Sequence, residues 1–243
     1  MKQFTCIGLI IFTFYCIGCN ELADEYETRE WISYHWVDEY FESEDISLKS
    51  SNENIYVEFI PKVYYPSAEL YDLFSEAKNK RRVYKVSDIA TFNTIAARNS
   101  DIYHAHSFYY SALVGASKFE DINYNSALAN NIIKIEITSD TDFDANHPKG
   151  TLLNDITILQ ITSYGKLIKD KSVQPHIEYW NCGNQCNYTI KSLSDVGKDD
   201  LTVVENYFTL SLSPAKYGKI HNITVTITMD DGEVYSDTVE VKF

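Results

Sequence analysis

Apolar and polar residues alternate most regularly near the end of the chain, in two segments separated by a turn-forming sequence at 230–233. Because successive side chains of a β-strand point to opposite faces, a period of two predicts a strand with one buried face. The two segments therefore predict a hairpin. Asp237 occupies an apolar position of the second strand, which predicts a bulge or a sheet edge there. The alternating residues are Ile223, Val225, Ile227 and Met229 in the first strand and Val239, Val241 and Phe243 in the second.

Four more strands and one helix are predicted upstream. A helix is expected at 67–78, where Ser67 can cap the first turn. The apolar face of this helix is formed by Leu70, Leu73, Phe74 and Ala77. Many short strands with turns between them predict a mainly β chain, which we interpret as a β-sandwich, Ig-like or similar, with one short helix. The additional strands are expected at 55–60, 103–110, 133–137 and 208–212.

The N-terminal residues have the pattern of a secretory signal peptide. Lys2 supplies a positive charge, and an almost unbroken apolar run extends from Phe4 to Tyr15. A helix rises about 1.5 Å per residue, so this run is too short for a bilayer, which requires about 20 residues. We therefore predict a signal over residues 1–18 that is removed during export.

The segment Cys16-Ile17-Gly18-Cys19 resembles the bacterial lipobox, in which small residues precede the cysteine that receives the lipid. The resemblance implies cleavage before Cys19 and attachment there of acyl chains such as palmitate, so that the expected partner is a membrane. The lipobox prefers Leu at the position that Cys16 occupies in this chain. The alternative is an ordinary signal peptide followed by a chance cysteine.

The acidic residues after Cys19 resemble the export tags that send Bacteroidetes-type lipoproteins to the outer face of the outer membrane. The alternative is a solvated tether, as charge-rich polar segments usually are. We expect a location in the cell envelope, lipid-anchored to the outer membrane, with exposure at the cell surface as one alternative. The predicted organisation is a signal peptide at 1–18, an acidic tether and N-terminal segment at 19–50, and a β-rich domain at 51–243 that has one candidate subdivision near 192–200.

Acidic residues outnumber basic ones, and the formal net charge is -14. This balance argues against binding to nucleic acid, because the phosphate backbone requires clustered Lys and Arg. It also disfavours direct contact with anionic lipids. The 19 tyrosines are compatible with aromatic platforms for sugars, although we prefer a compositional bias as their explanation.

Two cysteines, Cys182 and Cys186, remain in the predicted mature chain besides the lipidated one. The Gly and Asn residues between them suit a tight turn, and an oxidising envelope favours their pairing. We predict a structural disulfide, which contributes about 2 kcal/mol in so small a loop. The alternatives are half of a metal site or a redox pair, although redox motifs usually place two residues between their cysteines.

One internal stretch, from Ile135 to Asp155, is distinctive. A strand ends in Thr-Ser-Asp, a loop with Asp-Phe-Asp and His-Pro-Lys-Gly follows, and Leu-Asn-Asp closes the stretch. It resembles the signature stretch of an uncharacterised family of Bacteroidetes lipoproteins, a domain of unknown function. The resemblance covers roughly residues 110–156 together with the lipobox, and it implies a lipoprotein without an assigned activity.

The same loop places oxygen ligands at alternate positions, as the beginning of a calcium-binding loop does. The match then fails, because Ala145 stands where an EF-hand has Gly and Thr151 where it has a bidentate Glu. An irregular calcium site is one interpretation, and an acidic turn whose aspartates cap their own backbone is the other. The candidate ligands are Asp140, Asp142, Asp144 and Asn146.

No sequence motif for hydrolysis is present, and His104 with His106 would need a third ligand to hold a metal. Two classes of function remain. The first, which we favour, is a non-catalytic outer-membrane lipoprotein that binds a glycan, a peptide or a partner protein. The second is an envelope hydrolase whose site is assembled from dispersed residues. A pocket lined by a carboxylate pair would favour the hydrolase, and the absence of such a pocket would favour binding.

Overall fold

The computed structural model describes residues 26–33, 35–76, 84–101, 106–113, 125–170, 187–213 and 219–243. The predicted signal peptide, the predicted lipid attachment at Cys19 and the predicted disulfide between Cys182 and Cys186 lie outside the described residues, as does His104. These four predictions therefore stay predictions.

Eleven strands and three α-helices form the described part of the chain, which confirms the mainly β prediction. The prediction of one short helix undercounts the helices. The strands are β1 (Tyr26–Ser33), β2 (Glu39–Ser51), β3 (Asn54–Pro66), β4 (His106–Leu113), β5 (Ser126–Leu128), β6 (Ile132–Ser139), β7 (Thr157–Ser163), β8 (Tyr188–Ser192), β9 (Val204–Leu212), β10 (Ile220–Met229) and β11 (Val234–Lys242), and the helices are α1 (Ala68–Glu76), α2 (Val86–Asn99) and α3 (Gly165–Lys169).

Two sheets enclose the main core. The larger is a curled half-barrel with the strand order β5-β2-β3-β9-β7-β8, and the smaller has the order β11-β10-β6. β5 runs parallel to β2, whereas the other neighbouring strands of both sheets are antiparallel. β1 and β4 pair separately as a two-stranded ribbon. The segment near 192–200 connects β8 to β9, and both of these strands belong to the larger sheet.

The inner faces of the two sheets are apolar, as the alternation of the sequence predicts. In the hairpin β10–β11, the predicted inward positions are buried, except for Val239, which is partly buried against the same core. β3 and β9 contribute every second residue in the same way. The main core thus includes Ile55, Val57, Phe59, Phe208, Leu210, Leu212, Ile223, Val225, Ile227, Met229, Val241 and Phe243.

The alternation predicted for β6 is confirmed at Ile135 and Ile137 but is wrong at Ile133, which is 58% exposed. The pairing between β10 and β6 shifts register at Met229, which lies opposite Ile132. This irregularity moves the inward position by one residue, so that Ile132 is buried instead.

Asp237 lies on an edge strand, as one of the two predicted explanations requires, because β11 ends the order of the smaller sheet. The β10–β11 pairing continues through Asp237 without a register shift. The Asp237 carboxylate accepts a hydrogen bond from the backbone N–H of Leu48 on β2, at 3.0 Å. The Asp237 side chain, at a position where the alternation of β11 predicts an apolar residue, thus links the two sheets.

Ser67 caps α1 as predicted, because the Leu70 N–H donates to its hydroxyl oxygen at 3.1 Å and Leu70 is buried. The sequence analysis did not predict α2. Its buried residues Phe92, Ile95 and Ala96 fall three and four positions apart, on one face of the helix.

A second apolar cluster lies on the opposite side of the larger sheet. Tyr40 and Phe41 are neighbours on β2 and therefore point to opposite faces: Phe41 belongs to the main core and Tyr40 to the second cluster. Residues of α2 and α3 complete this second cluster. The helices thus cover the outer face of the larger sheet near the beginning of β2, while side chains farther along that face are exposed.

Candidate functional site

A cleft opens where β2, in the larger sheet, meets the β10–β11 hairpin of the smaller sheet. The pairing of β2 with β3 shifts register on both sides of Ser43, and such bulges bend a strand and redirect its side chains. The resulting cavity has a volume of about 200 Å³. We call it the seam cleft.

The seam cleft has an apolar floor and a polar rim. Phe41, Leu128 and Met229 form the floor and are almost completely buried in the main core. Because these three side chains are almost completely covered, the accessible lining of the cleft is mostly polar. The rim consists of Glu42, Ser43, Lys62, Asn130, Asp231, Glu233 and Tyr235.

Two tyrosines hold the glutamates of the rim. The Tyr65 hydroxyl donates to Glu42 Oε1 at 2.8 Å. The Tyr235 hydroxyl lies within hydrogen-bonding distance of Glu233 and, at 3.0 Å, of the Ser43 carbonyl oxygen. Burial and the adjacent glutamate raise the pKa of each tyrosine. Both hydroxyls therefore keep their protons and act as donors.

The third carboxylate of the rim is fixed by the turn of the hairpin. Asp231 Oδ1 accepts a hydrogen bond from the Glu233 N–H at 2.9 Å, and its other oxygen accepts one from the Asn130 side chain. Arg98 in turn donates to Asn130 Oδ1 at 3.2 Å. The rim is thus tied to both the turn and α2.

The charge of the seam cleft is negative, because three carboxylates face one ammonium group. Lys62 forms no ion pair within the described part of the chain. Carboxylates with spare acceptor capacity form strong, charge-assisted hydrogen bonds to cationic donors. The arrangement can therefore hold a cationic group among the carboxylates of the rim.

The acidic loop that suggested calcium lies away from the seam cleft, and its aspartates bind the protein's own groups. Asp140 accepts hydrogen bonds from the backbone and side chain of Asn222, at 3.0 and 2.7 Å. Asp142 accepts one from the Lys149 N–H at 2.8 Å. Asp144 Oδ1 accepts one from the Asn146 N–H at 2.7 Å. These bonds favour the acidic turn over the calcium site, which stays a prediction.

A histidine closes this loop. His147 Nδ1 lies 2.8 Å from Asp144 Oδ1, and its Nε2 lies 3.1 Å from Asp155 Oδ1. The hydrogen bond with Asp144 is the largest of the effects that raise the pKa of His147. Nowhere in the described residues do three His, Cys, Asp or Glu side chains converge in a way that could hold a metal.

Comparisons with known protein families, with curated proteins and with solved structures found no match to this chain. In the part of the chain that the structure describes, no helix has both the length and the apolar character needed to cross a bilayer. The resemblance to a lipoprotein family stays a prediction.

Sequence analysis did not identify the seam cleft, because its residues come from four separate parts of the chain. Asp231 and Glu233 were interpreted as turn chemistry, and Glu42 lies in the predicted N-terminal segment. The register shift at Ser43, which brings these residues together, has no signature in the alternation pattern.

Proposed function

We propose that the protein is an outer-membrane lipoprotein, anchored through Cys19 and exposed at the cell surface, whose β-rich domain binds a ligand without catalysing a reaction. The observation that carries the binding role is the seam cleft, with its apolar floor and its rim of fixed carboxylates. The signal peptide and the resemblance to a lipobox support the anchor.

The ligand chemistry that fits the cleft is an ammonium or guanidinium group. Glu42, Asp231 and Glu233 supply acceptors for the cation, and Met229 lies beneath them in the floor of the cleft. Such a group occurs both in small amines and in the Lys or Arg side chains of a partner protein.

The finer description of the fold is part of this proposal. We interpret the two packed sheets as an Ig-like β-sandwich, because most neighbouring strands are antiparallel and the two inner faces share one core. The parallel β2–β5 pair and the curl of the larger sheet are departures from a simple sandwich.

Met229, in the floor of the cleft, can report ligand binding through its NMR signal. The chain has two methionines, Met1 and Met229, so labelling with methyl-¹³C methionine gives at most two signals. We expect n-pentylamine and N-acetyl-lysine amide to shift the Met229 signal in a saturable way in an NMR titration. The neutral isostere 1-pentanol is expected to cause a much smaller shift, because it lacks the charge.

The matched variants are Glu42→Gln with Glu233→Gln, which removes two carboxylates of the rim, and Glu240→Gln, which removes an exposed carboxylate of β11 outside the cleft. The double variant should weaken binding of the amine at least tenfold, and Glu240→Gln should leave it unchanged. Equal shifts by pentylamine and pentanol, or no shift with either, would refute the cation site.

Binding of N-acetyl-lysine amide at much lower concentration than pentylamine would indicate a peptide or protein source for the cation. The reverse order would indicate a small amine. The two probes thus separate the two sources of the same chemistry.

A hydrolase is the second candidate, because the seam cleft brings Glu42 and Glu233 to one rim, and a carboxylate pair is the feature that would favour an enzyme. Carboxylate-pair hydrolysis requires one of the pair to donate a proton. In the structure, all three carboxylates of the rim act as hydrogen-bond acceptors. Release of nitrophenol from a set of nitrophenyl glycosides, lost in Glu42→Gln or Glu233→Gln, would establish the enzyme instead.

The anchor and its side of the membrane are tested on intact cells. Protease should digest the membrane-bound protein, and Cys19→Ala should release it from the membrane fraction. Protection from protease would place the domain in the periplasm. Membrane attachment of the Cys19→Ala protein would refute the lipid anchor.

A further inference from the structure

The outer face of the larger sheet carries three exposed tyrosines beyond the region that the helices cover. Tyr56 on β3 is 44% exposed, Tyr207 on β9 is 56% exposed and Tyr188 on β8 is 42% exposed. Aromatic rings of this size are normally buried in part against the core, and grouped exposure marks a surface that contacts a partner. We call this surface the tyrosine face.

The strand register makes two of the rings neighbours and places the third farther across the same face. Tyr56 pairs with Thr209, and Tyr207 pairs with Glu58, so the two tyrosines are diagonal neighbours on adjacent strands. Tyr188 lies two strands farther across the sheet. Strands lie about 4.8 Å apart, so the rings extend over roughly 14 Å from β3 to β8. This is the extent of a short chain of ring-shaped units, and it exceeds that of one small molecule.

Neutral polar groups occupy the sheet between the rings and are already oriented by one another. The Tyr188 hydroxyl donates to Gln160 Oε1 at 2.8 Å, and Gln160 Nε2 donates to the Ser211 hydroxyl oxygen at 3.3 Å. The Ser211 hydroxyl donates to Asn54 Oδ1 at 2.5 Å. The network crosses four strands and retains further donor and acceptor capacity toward solvent.

The charges on this face neutralise each other. Lys49 and Glu58 form an ion pair at 3.3 Å, and both are exposed. In a chain whose formal net charge is -14, a face with balanced charge is a local feature. It excludes a polyanion such as nucleic acid, which would require clustered cations.

We infer that the tyrosine face binds a neutral glycan chain. The faces of sugar rings present C–H groups, which the electron-rich faces of tyrosine rings attract, and sugar hydroxyls can both donate to and accept from the amide and hydroxyl groups of the network. A protein partner would require an apolar centre, as protein interfaces have. Here the centre of the face is polar and is formed by Gln160 and Thr209, and the exposed Ile190 lies beside Gln160 on the edge strand β8.

This site is independent of the seam cleft, and the two proposals can fail separately. The test is electrophoresis of the full chain in native gels that contain dextran, galactomannan, arabinoxylan or mixed-linkage β-glucan, with polygalacturonate as the charged comparison. At least one neutral polysaccharide should retard the protein, and polygalacturonate should not. The Glu42→Gln, Glu233→Gln variant should be retarded as the wild type is.

The double variant Tyr56→Ala, Tyr207→Ala should bind at least tenfold more weakly, whereas the double variant with Phe at both positions keeps the rings and should stay within about threefold of the wild type. The matched control is Ile133→Ala, because Ile133 is exposed to a similar degree on the smaller sheet. All substitutions are on the surface, and unchanged thermal unfolding will establish that each variant folds.

Three outcomes would overturn the inference. One is that no neutral polysaccharide retards the wild type. Another is that the double alanine variant binds as tightly as the wild type. The third is that a protein partner binds the tyrosine face and that none of the polysaccharides displaces it.

Discussion

Two regions of the molecule are each built around a buried aspartate, and the two aspartates differ in the charge of the groups that donate hydrogen bonds to them. Asp101 follows the end of α2 and accepts hydrogen bonds from neutral donors: the backbone N–H groups of Trp36 and Val37, at 2.7 and 3.2 Å, and the hydroxyl of Tyr40 at 2.9 Å. Asp200, in the segment between β8 and β9, lies between two lysines, with Lys191 Nζ at 2.7 Å.

The difference appears in the pKa of each group. Burial raises the pKa of Asp101, although its hydrogen bonds and His35 partly oppose the effect. Burial acts in the same direction on Asp200, but Lys166 and Lys191 outweigh it and lower the pKa from 3.8 to about 2. Burial alone thus does not determine the direction of a carboxylate's pKa shift, because charged hydrogen-bond donors can reverse it.

The largest effect in this comparison is expected from Asp101→Ala. The substitution leaves two backbone N–H groups and the Tyr40 hydroxyl without acceptors in a buried corner, at about 1–3 kcal/mol for each group. The free energy of unfolding at pH 7 should fall by about 4 kcal/mol, and Tm by about 10 °C. Urea unfolding followed by circular dichroism will measure the change.

The matched variant is Asp101→Asn, which keeps an acceptor oxygen and removes the buried charge, so its loss should be smaller. Because the folded pKa of Asp101 is raised, the folded state binds the proton more tightly than the unfolded state. Wild-type stability relative to Asp101→Asn should therefore rise as pH falls through the raised pKa toward 3.8. An alanine variant within 1 kcal/mol of the wild type would show that the carboxylate does not hold this corner.

A smaller effect with the opposite pH dependence is expected from Asp200→Asn. The folded pKa of about 2 lies below the ordinary 3.8, which corresponds to roughly 2 kcal/mol of stability at neutral pH. This contribution is complete above pH 4 and is lost as pH falls toward 2. Unfolding of wild type and variant at pH 7, 4 and 2.5 should show the difference shrinking. A constant difference across this range would contradict the role of the two lysines.

Six of the eleven described strands were predictable from the sequence, and β1, β2, β5, β7 and β8 were not. Alternation located β9, β10 and β11, and the capping Ser67 together with an apolar helix face located α1. Alternation is a poor guide where the register between strands shifts. The pattern therefore assigns Ile133 to the wrong face, and it gives no sign of the bulge at Ser43. Register depends on pairing between distant segments, and no local window contains it.

The candidate sites were less predictable than the fold. The acidic loop is a candidate calcium site in the sequence because its aspartates are close together along the chain. In the structure these aspartates accept hydrogen bonds from Asn222, Lys149 and Asn146. The seam cleft and the tyrosine face are each assembled from several strands. The composition included a signal for the second site, since 19 tyrosines are many for one chain, but it could not show which of them are exposed.

The smallest expected effect on stability comes from His147, a cation that loses its charge near neutral pH and that lies between two carboxylates. His147 lies between Asp144 and Asp155, and their hydrogen bonds raise its pKa above 6.5. A raised histidine pKa stabilises the folded state fully below the unfolded value of 6.5, and this contribution disappears as pH rises through the folded pKa. Tm should therefore fall between pH 5.5 and 8.5 by less than about 2 °C through this group.

His147→Gln tests whether the histidine is the source of that slope. Glutamine can donate one hydrogen bond to the loop but carries no charge at either pH, so the variant should lose the part of the pH dependence that wild type shows above pH 6.5. Asp155→Asn should reduce the slope by less, because Asp144 makes the stronger contact. The lysines beside Asp200 stay charged throughout this pH range, whereas His147 loses its charge. Comparing the two sites therefore shows how stability depends on whether the cation can lose its proton. An unchanged slope in His147→Gln would mean that the acidic loop is held by its backbone hydrogen bonds alone.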